Sequence, residues 1–265
     1  ETGKLKSLIV TGCLAQRYQD EIMKELPEVD AVIGTMSIES IVEAVEQSLK
    51  KKGYTHFEDL GYLPQSYDKR VITSGTYMGY LKIAEGCNKR CTYCIIPSVR
   101  GNYRSVPMED VMKQAEYLVQ NGITELCLVA QETTVYGLDL YGKKCLPQLL
   151  RKLSEIPELK WIRILYCYPE EITDELIEEI KTNDKVCHYI DMPIQHCENT
   201  ILKRMGRATT KEEIKERIAF IRKEIPDIVL RTSLIAGFPG ETKEDHEALL
   251  DFIDEVEFNR LGVFT

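Results

Sequence analysis

Hydrophobic and polar positions at the start of the chain alternate between short apolar runs and amphipathic stretches. Ser7 to Val10 is a short apolar run typical of a strand, and Leu14 to Leu26 has several apolar side chains at helical spacing. Asp30 to Gly34 predicts a second strand and Ile38 to Lys50 a second helix. This β-α-β-α order predicts that residues 1–52 form part of a small parallel α/β domain.

Residues 53–79 follow neither pattern. They are rich in Gly, Tyr, Asp, Ser and Pro, so we predict a linker or a loose connecting hairpin there. A second domain is expected over residues 80–265, where strand-like runs alternate with amphipathic stretches. The predicted strands are Tyr80 to Glu85, Glu125 to Gln131, Trp161 to Tyr166, His188 to Met192, Val229 to Ala236 and Leu261 to Phe264. The predicted helices are Pro107 to Gln120, Leu146 to Ser154, Thr173 to Lys181, Lys211 to Lys223 and Thr242 to Val256.

Six strands joined through helices predict a parallel sheet, because each connection is long enough for a crossover. Such a sheet is either an open, doubly wound one or a partial (β/α) barrel, and both place their chemistry at the carboxyl ends of the strands. Conspicuous residues follow several predicted strands: Cys87, Gln131, Glu132, Gln195, His196 and Gly237. Their placement predicts a functional site at this edge of the sheet.

Composition narrows the class of protein. The 265 residues are 43% hydrophobic, which fits a globular protein of one or two domains. No apolar stretch approaches the roughly 20 residues that span a bilayer, and the first residues lack the features of a signal peptide. The nine cysteines are an odd number in a long chain, which favours reduced thiols over a disulfide scaffold. We therefore expect a soluble, cytoplasmic protein.

Charge and chain ends add two expectations. With 43 acidic and 34 basic side chains the net charge is -9, which weighs against a large phosphate-binding surface and suits a basic protein partner. The chain begins with Glu1 and stops at Thr265, directly after a strand-like run. We therefore expect a piece of a longer protein.

The most specific chemical signal is a group of three cysteines in one loop. Cys87, Cys91 and Cys94 have the spacing Cys-x3-Cys-x2-Cys, so their thiolates can converge on one metal centre. Thiolates suit Fe-S clusters or zinc, but a structural zinc site requires four ligands and no fourth Cys or His lies nearby in sequence. Three cysteines on a four-iron cluster would leave one iron open. Zinc with a distant fourth ligand and cysteines that only pack stay as alternatives.

Together with Tyr93, these cysteines resemble the Cys-x3-Cys-x-aromatic-Cys signature of the radical S-adenosylmethionine (SAM) superfamily. The resemblance implies a TIM-like (β/α)6 partial barrel and a [4Fe-4S] cluster whose open iron chelates the amino and carboxylate groups of SAM. An electron from the reduced cluster would cleave SAM into methionine and a 5′-deoxyadenosyl radical. Tyr93 would lie along the adenine.

The same resemblance implies further SAM contacts. Gln131 and Glu132 stand where related enzymes hold the methionyl ammonium, and Gln195, Arg231 and Gly237 suit the ribose, the carboxylate and a close backbone approach. Glu132 has a loop-capping carboxylate as its alternative, and Arg231 an ordinary ion pair.

Longer stretches resemble the methylthiotransferases of this superfamily: residues 11–16, 86–97 with Arg100 and Gly101, and 237–242. The resemblance implies a second [4Fe-4S] cluster in the complete enzyme, with Cys13 as its third ligand and the other two upstream of Glu1. It also implies that residues 1–52 are part of a flavodoxin-like N-terminal domain and that a small β-barrel follows Thr265. Cys13 as a buried thiol is the alternative. One cluster is expected here, with SAM cleavage but no methylthiolation.

Within that family, residues 161–169, 189–196 and 259–265 resemble the branch that modifies an aspartate β-carbon in small-subunit ribosomal protein twelve. This ribosomal protein is the predicted substrate, with a flavodoxin or ferredoxin as electron donor and a monomeric enzyme. One alternative is methylthiolation of adenosine in tRNA. Another is a non-catalytic Fe-S or zinc module, which predicts four protein ligands and no SAM affinity.

The remaining sulfur and imidazole side chains carry weaker signals. We expect Cys127 in the core and Cys145 and Cys187 without a role, whereas Cys167 and Cys197 lie near strand ends, where a role near the radical stays open. His196 either shapes the pocket or is structural.

Overall fold

The computed structural model describes residues 3–64, 71–72, 75 and 77–265, which fold as two compact units. The first unit contains residues up to 64 together with Glu85–Lys89 and Ile95–Arg104. The second contains the described residues between 71 and 84, Arg90–Cys94 and Ser105–Thr265. The cysteine loop therefore passes from the first unit into the second.

The first unit is built on a short parallel sheet. Its strands β1 (Ile9–Thr11), β2 (Ala31–Ile33) and β3 (Tyr54–His56) pair in the order β1-β2-β3. The connecting helices are α1 (Cys13–Tyr18), α2 (Asp20–Glu25) and α3 (Ile41–Lys50). The central strand β2 is buried along its whole length, and the small apolar core forms around it.

Two predictions for this unit are wrong in detail. The single helix predicted from Leu14 to Leu26 is divided into α1 and α2 at Gln19, whose φ of +42° interrupts the right-handed helical path. Strand β3 lies within the predicted linker. It has no signal in the sequence, because three residues are too few to show a period-2 pattern. Residues 65–70, 73–74 and 76 of that predicted linker lie outside the described residues.

The second unit contains a six-stranded parallel sheet. Its strands are β4 (Met78–Lys82), β7 (Glu125–Val129), β8 (Trp161–Ile164), β9 (Val186–Asp191), β10 (Val229–Ile235) and β11 (Arg260–Phe264). The short strands β5 (Ala84–Glu85) and β6 (Arg104–Ser105) form a separate two-stranded sheet. The spatial order β4-β7-β8-β9-β10-β11 follows the chain, whereas a doubly wound sheet would reverse direction at a switch point. The predicted partial (β/α)6 barrel is therefore confirmed.

The longer helices that follow along the chain coincide with the amphipathic stretches of the sequence. The α-helices after α3 are α4 (Ile96–Arg100), α5 (Met108–Gln120), α6 (Leu138–Tyr141), α7 (Leu146–Ser154), α8 (Asp174–Thr182), α9 (Asn199–Arg204), α10 (Lys211–Glu224) and α11 (Lys243–Val256). Thr210 and Thr242 begin α10 and α11 with complete capping boxes, and the Thr173 side chain caps α8. The short helices α4, α6 and α9 had no periodic signal.

The two faces of the six-stranded sheet differ in chemistry. Apolar side chains on one face are almost completely buried, including Leu126, Ile162 and Leu230. Alternate positions carry charge: Glu125 of β7 pairs with Arg163 of β8 at 2.8 Å. Glu125 is the first residue of β7, so this ion pair lies towards the amino end of that strand. Among the described residues, no helix is long and apolar enough to cross a membrane.

Candidate functional site

The second half of the cysteine loop is fixed against the end of α9. The Thr92 backbone N–H donates to the Met205 carbonyl at 3.0 Å, and Thr92 Oγ1 donates to the Arg204 carbonyl at 2.9 Å. Gly206 follows with φ +70°, and a Cβ on it would lie only 2.9 Å from the Arg90 carbonyl oxygen. A residue without a side chain therefore lets this segment approach the loop.

Cys91 is 6% exposed and has a polar neighbour. The Tyr168 hydroxyl lies 3.6 Å from Cys91 Sγ. Arg207 stacks on the Tyr168 ring, with Cζ 4.3 Å from the ring centroid, and its Nη2 donates to the Pro193 carbonyl at 2.8 Å. Arg207 is only 6% exposed, and its Nε and Nη1 atoms have no hydrogen-bond partner among the described residues. A buried cation with unused donors thus lies beside a predicted cluster ligand.

Cys94 and Tyr93 occupy the outer part of the same loop. Cys94 is exposed, and its backbone N–H donates to the Cys91 carbonyl at 3.0 Å. The Tyr93 ring meets Phe238 edge to face, with centroids 6.4 Å apart. Partial burial raises the pKa of Tyr93, so its hydroxyl stays protonated near neutral pH. Gly237 has φ +76°, and nothing lies within 4 Å of the position a Cβ would take. Its backbone faces open space next to the aromatic pair.

Two predicted SAM contacts, Gln131 and Glu132, follow β7. Glu132 is 1% exposed and accepts hydrogen bonds from the backbone N–H and the hydroxyl of Thr134. Glu132 therefore caps its own loop, as the alternative to a SAM contact predicted. Gln131 Oε1 is buried and has no partner among the described residues, so it is an available acceptor. Thr133 fixes the segment through its hydroxyl, which donates to the Leu165 carbonyl at 2.7 Å.

Arg231 on β10 is paired to Asp191 on β9. Arg231 Nη1 lies 2.5 Å from Asp191 Oδ1, and the Asp191 side chain is 3% exposed. The hydrogen bond that Arg231 donates to Asp191 raises the pKa of Arg231, although partial burial opposes it. Arg231 therefore forms the ion pair predicted as the alternative to a SAM contact. Gln195 adopts φ +69° and is held by backbone hydrogen bonds to Ser233 and Ile235.

Cys87 belongs to the first unit. It is 5% exposed, its N–H donates to the Gly101 carbonyl at 3.2 Å, and its Sγ accepts from the Lys89 N–H at 3.4 Å. Gly86 is required at the preceding position, because φ is +76° and a Cβ would come within 2.2 Å of the Asn102 carbonyl oxygen.

Cys13 is also in the first unit, at the start of α1, and is half-buried. Arg100 donates to both carboxylate oxygens of Glu85 at 3.0 Å. Burial opposes the charge of Arg100, but Glu85 and the neighbouring Cys13 thiol outweigh burial and raise its pKa. A cation thus lies beside the proposed auxiliary ligand.

His196 is fully buried and fits the structural alternative. Its Nδ1 accepts the Glu198 N–H at 3.0 Å, and Nε2 lies 3.8 Å from Glu241. Burial lowers its pKa, and the acidic neighbours only partly offset this effect. Cys127, Cys145, Cys167 and Cys197 are buried as free thiols, and Cys187 is half-buried.

The predicted SAM contacts all lie in the second unit. Gln131 and Glu132 follow β7, Gln195 follows β9 and Gly237 follows β10, whereas Arg231 lies within β10 and Tyr93 in the cysteine loop. Among the residues that the structure describes, no three His, Cys, Asp or Glu side chains are grouped as metal ligands, so the ligand set stays a prediction. Tyr168 and Arg207 were missed, because their positions beside Cys91 depend on contacts between distant parts of the sequence.

Comparisons with known proteins agree with this fold. The family model described as the radical SAM superfamily matches residues 81–253. Ribosomal protein uS12 methylthiotransferase RimO of Lachnoclostridium phytofermentans is 59% identical over 265 residues, covering 100% of this chain and 60% of the relative. The protein of the same name from Clostridioides difficile is 51% identical over 264 residues, with the same two coverages. The chain therefore spans about 60% of the length of these relatives.

A solved structure extends the comparison to the fold. The cobalamin-dependent S-adenosylmethionine radical enzyme OxsB, with aqua-cobalamin and S-adenosylmethionine bound, superimposes with a TM-score of 0.64. The match covers 92% of this chain and 38% of OxsB at 14% sequence identity. At this identity the likeness concerns the fold alone.

Proposed function

Because the chain belongs to the radical SAM superfamily, we propose that it is the radical-generating core of a ribosomal protein uS12 methylthiotransferase. In this proposal the whole enzyme adds a methylthio group to the β-carbon of an aspartate in that ribosomal protein. The observation that carries the proposal is the high identity to relatives of that name along the entire chain. The net charge of -9 also suits a basic protein substrate better than tRNA.

The donors present suit an Fe-S cluster. Cys87, Cys91 and Cys94 supply three sulfur donors, and thiolates are the usual ligands of [4Fe-4S] clusters. Gly206 leaves space where a side chain would press on the loop. These three cysteines would hold the cluster, and the iron without a cysteine ligand would be available to SAM. When bound, the cluster supplies one electron for the reductive cleavage of SAM, which produces the radical that removes hydrogen from the substrate.

The surrounding side chains would orient SAM. Tyr93 offers an aromatic face for the adenine, and Gly237 leaves open space beside it. Gln131 Oε1 is a buried acceptor for the methionyl ammonium, and Glu132 contributes negative charge next to it. The backbone of Gln195 is fixed by hydrogen bonds, and we assign its amide to the ribose.

Arg231 retains donors for the SAM carboxylate. Its hydrogen bonds to Asp191 and Ser233 both use Nη1. A guanidinium has five N–H groups, so Nε and Nη2 provide donors for an anionic group, and Asp191 holds the side chain in place.

The proposal also includes parts beyond the cysteine loop. Cys13 is assigned as a ligand of an auxiliary [4Fe-4S] cluster that carries sulfur, and the Arg100 cation beside it suits a thiolate. A flavodoxin or ferredoxin would donate electrons to a monomeric enzyme in the cytoplasm.

The first test measures SAM cleavage. The chain is reconstituted anaerobically with iron and sulfide, reduced with dithionite and supplied with SAM, and 5′-deoxyadenosine is quantified against a Cys91→Ala control. We expect production that depends on Cys91. A full four-iron cluster without production would instead favour a non-catalytic module.

The second test addresses the substrate. The full-length protein that contains this chain is assayed with ribosomal protein uS12 and with tRNA, and mass spectrometry detects the added methylthio group. Modification of the uS12 aspartate supports the proposal, and modification of tRNA alone contradicts it.

A further inference from the structure

The side chains around Cys91 have the chemistry to change the reduction potential of a cluster bound there. We propose that Tyr168 and Arg207 are positioning residues that raise the reduction potential of the cluster through its ligand Cys91. This inference rests on the proposed function, since it requires the cluster to be bound.

Tyr168 is the hydrogen-bond donor in this arrangement. Its hydroxyl lies 3.6 Å from Cys91 Sγ, where either atom can donate while Cys91 is a thiol. A cysteine bound to iron is a thiolate without a hydrogen, so the tyrosine hydroxyl must then donate. Reduction adds one negative charge to the cluster, and part of it resides on the sulfur ligands. A donor to the ligand therefore stabilises the reduced form more than the oxidised form.

Arg207 adds positive charge and holds Tyr168 in place. Its guanidinium covers the Tyr168 ring at 4.3 Å, and the bond from Nη2 to the Pro193 carbonyl fixes its orientation. The cation is 94% buried, so solvent screens its charge weakly, and the groups that interact with it are Tyr93, Tyr168, the carboxylate of Glu170 and Cys91. Stacking on an aromatic ring while donating N–H bonds is a geometry that arginine permits and lysine does not.

Two donors of Arg207 are left over, which indicates an anionic partner. Nε and Nη1 are buried without a hydrogen-bond partner among the described residues, and leaving such groups unsatisfied is unfavourable. A four-iron cluster with three thiolate ligands carries net negative charge and has sulfur acceptors. We therefore assign these donors to the cluster side of Cys91. Binding of the SAM carboxylate by Arg207 is the competing explanation.

The test is a redox titration without SAM, which separates the two explanations. Cluster content of the reconstituted chain is determined from iron and sulfide, and the one-electron reduced state is followed by electron paramagnetic resonance as dithionite is added. The variants are Tyr168→Phe, which keeps the ring under Arg207, and Arg207→Gln, which removes the charge. Matched controls are Tyr117→Phe on α5 and Arg217→Gln on α10, where Arg217 pairs with exposed Asp174.

We expect both test variants to bind four irons and to have a lower midpoint potential. At a fixed potential, the ratio of reduced to oxidised cluster should fall about tenfold in Arg207→Gln, equivalent to about 59 mV, and by a smaller factor in Tyr168→Phe. The control variants should keep the parental ratio.

Each other result has a defined meaning. Variants that bind the four-iron cluster and keep the parental midpoint potential would overturn this inference and leave the proposed function intact. The same holds if the only change is a lower affinity for SAM. A parental chain that binds no four-iron cluster would overturn the proposed function and this inference together. If Arg207→Gln binds no cluster, Tyr168→Phe decides the question, since it removes a single oxygen atom.

Discussion

Replacing Gly206 by alanine tests how closely the α9 end supports the cysteine loop. The new Cβ would lie 2.9 Å from the Arg90 carbonyl oxygen, and this neighbour is backbone and cannot rotate away. The φ of +70° adds strain of roughly 1–2 kcal/mol for any residue with a side chain. The loop before Cys91 would therefore have to shift as well.

Gly142 provides a matched control for this change. It has the same φ of +70°, but nothing lies within 4 Å of the position its Cβ would take. Gly142→Ala should thus show the strain alone, a fall in melting temperature of roughly 2–8 °C at about 2–4 °C per kcal/mol. Gly206→Ala should lose at least as much and should also bind less iron after reconstitution.

The assay combines thermal unfolding of the metal-free proteins with iron and sulfide analysis after anaerobic reconstitution. The informative quantity is the difference between the two variants, since the backbone strain is common to both. Equal melting temperatures together with parental iron content in Gly206→Ala would refute the reasoning, because the loop would then tolerate the added methyl group without moving.

Two further predictions concern buried charges in the second unit. Burial lowers the pKa of His196 from its usual value of 6.5 in the folded protein, so the unfolded chain binds the proton more tightly. The free energy of unfolding should therefore fall as the pH drops below about 6.5. His196→Gln should weaken that pH dependence in urea unfolding between about pH 7.5 and pH 5, and an unchanged dependence in this variant would contradict the assignment. Arg163→Met leaves the buried Glu125 carboxylate without its partner at 2.8 Å and should cost about 1–3 kcal/mol, below the value for a fully buried pair because Arg163 is 31% exposed. Urea unfolding measures this loss, and a change below about 0.5 kcal/mol would show that water replaces the guanidinium.

Local signals in the sequence predicted the long elements of the fold well. The helices α8, α10 and α11 begin where threonines cap them, so capping residues and periodicity agree. The break at Gln19 could not be predicted, because a glutamine rarely has a positive φ and no glycine or proline marks the position in the sequence. Strand β3 was missed for a related reason, since its three residues are defined by pairing with β2.

The candidate site divides in the same way. The cysteine spacing and the strand-end positions are local and were visible in the sequence. The pairing of Arg231 with Asp191 depends on the register between β10 and β9, which places these two residues opposite each other. Tyr168 lies 77 residues from Cys91 in the sequence, and no local pattern indicates that the two side chains meet.

The hydrogen bonds that hold Thr92 to the end of α9 have a consequence for the order of folding and metal uptake. In small zinc domains the metal organises the chain, and folding free energy is largely metal-binding free energy. Here protein contacts already order the segment that carries Cys91, so the entropy of arranging it is lost during folding. Iron should therefore enter a prepared segment, and a chelator should remove the metal while the second unit stays folded.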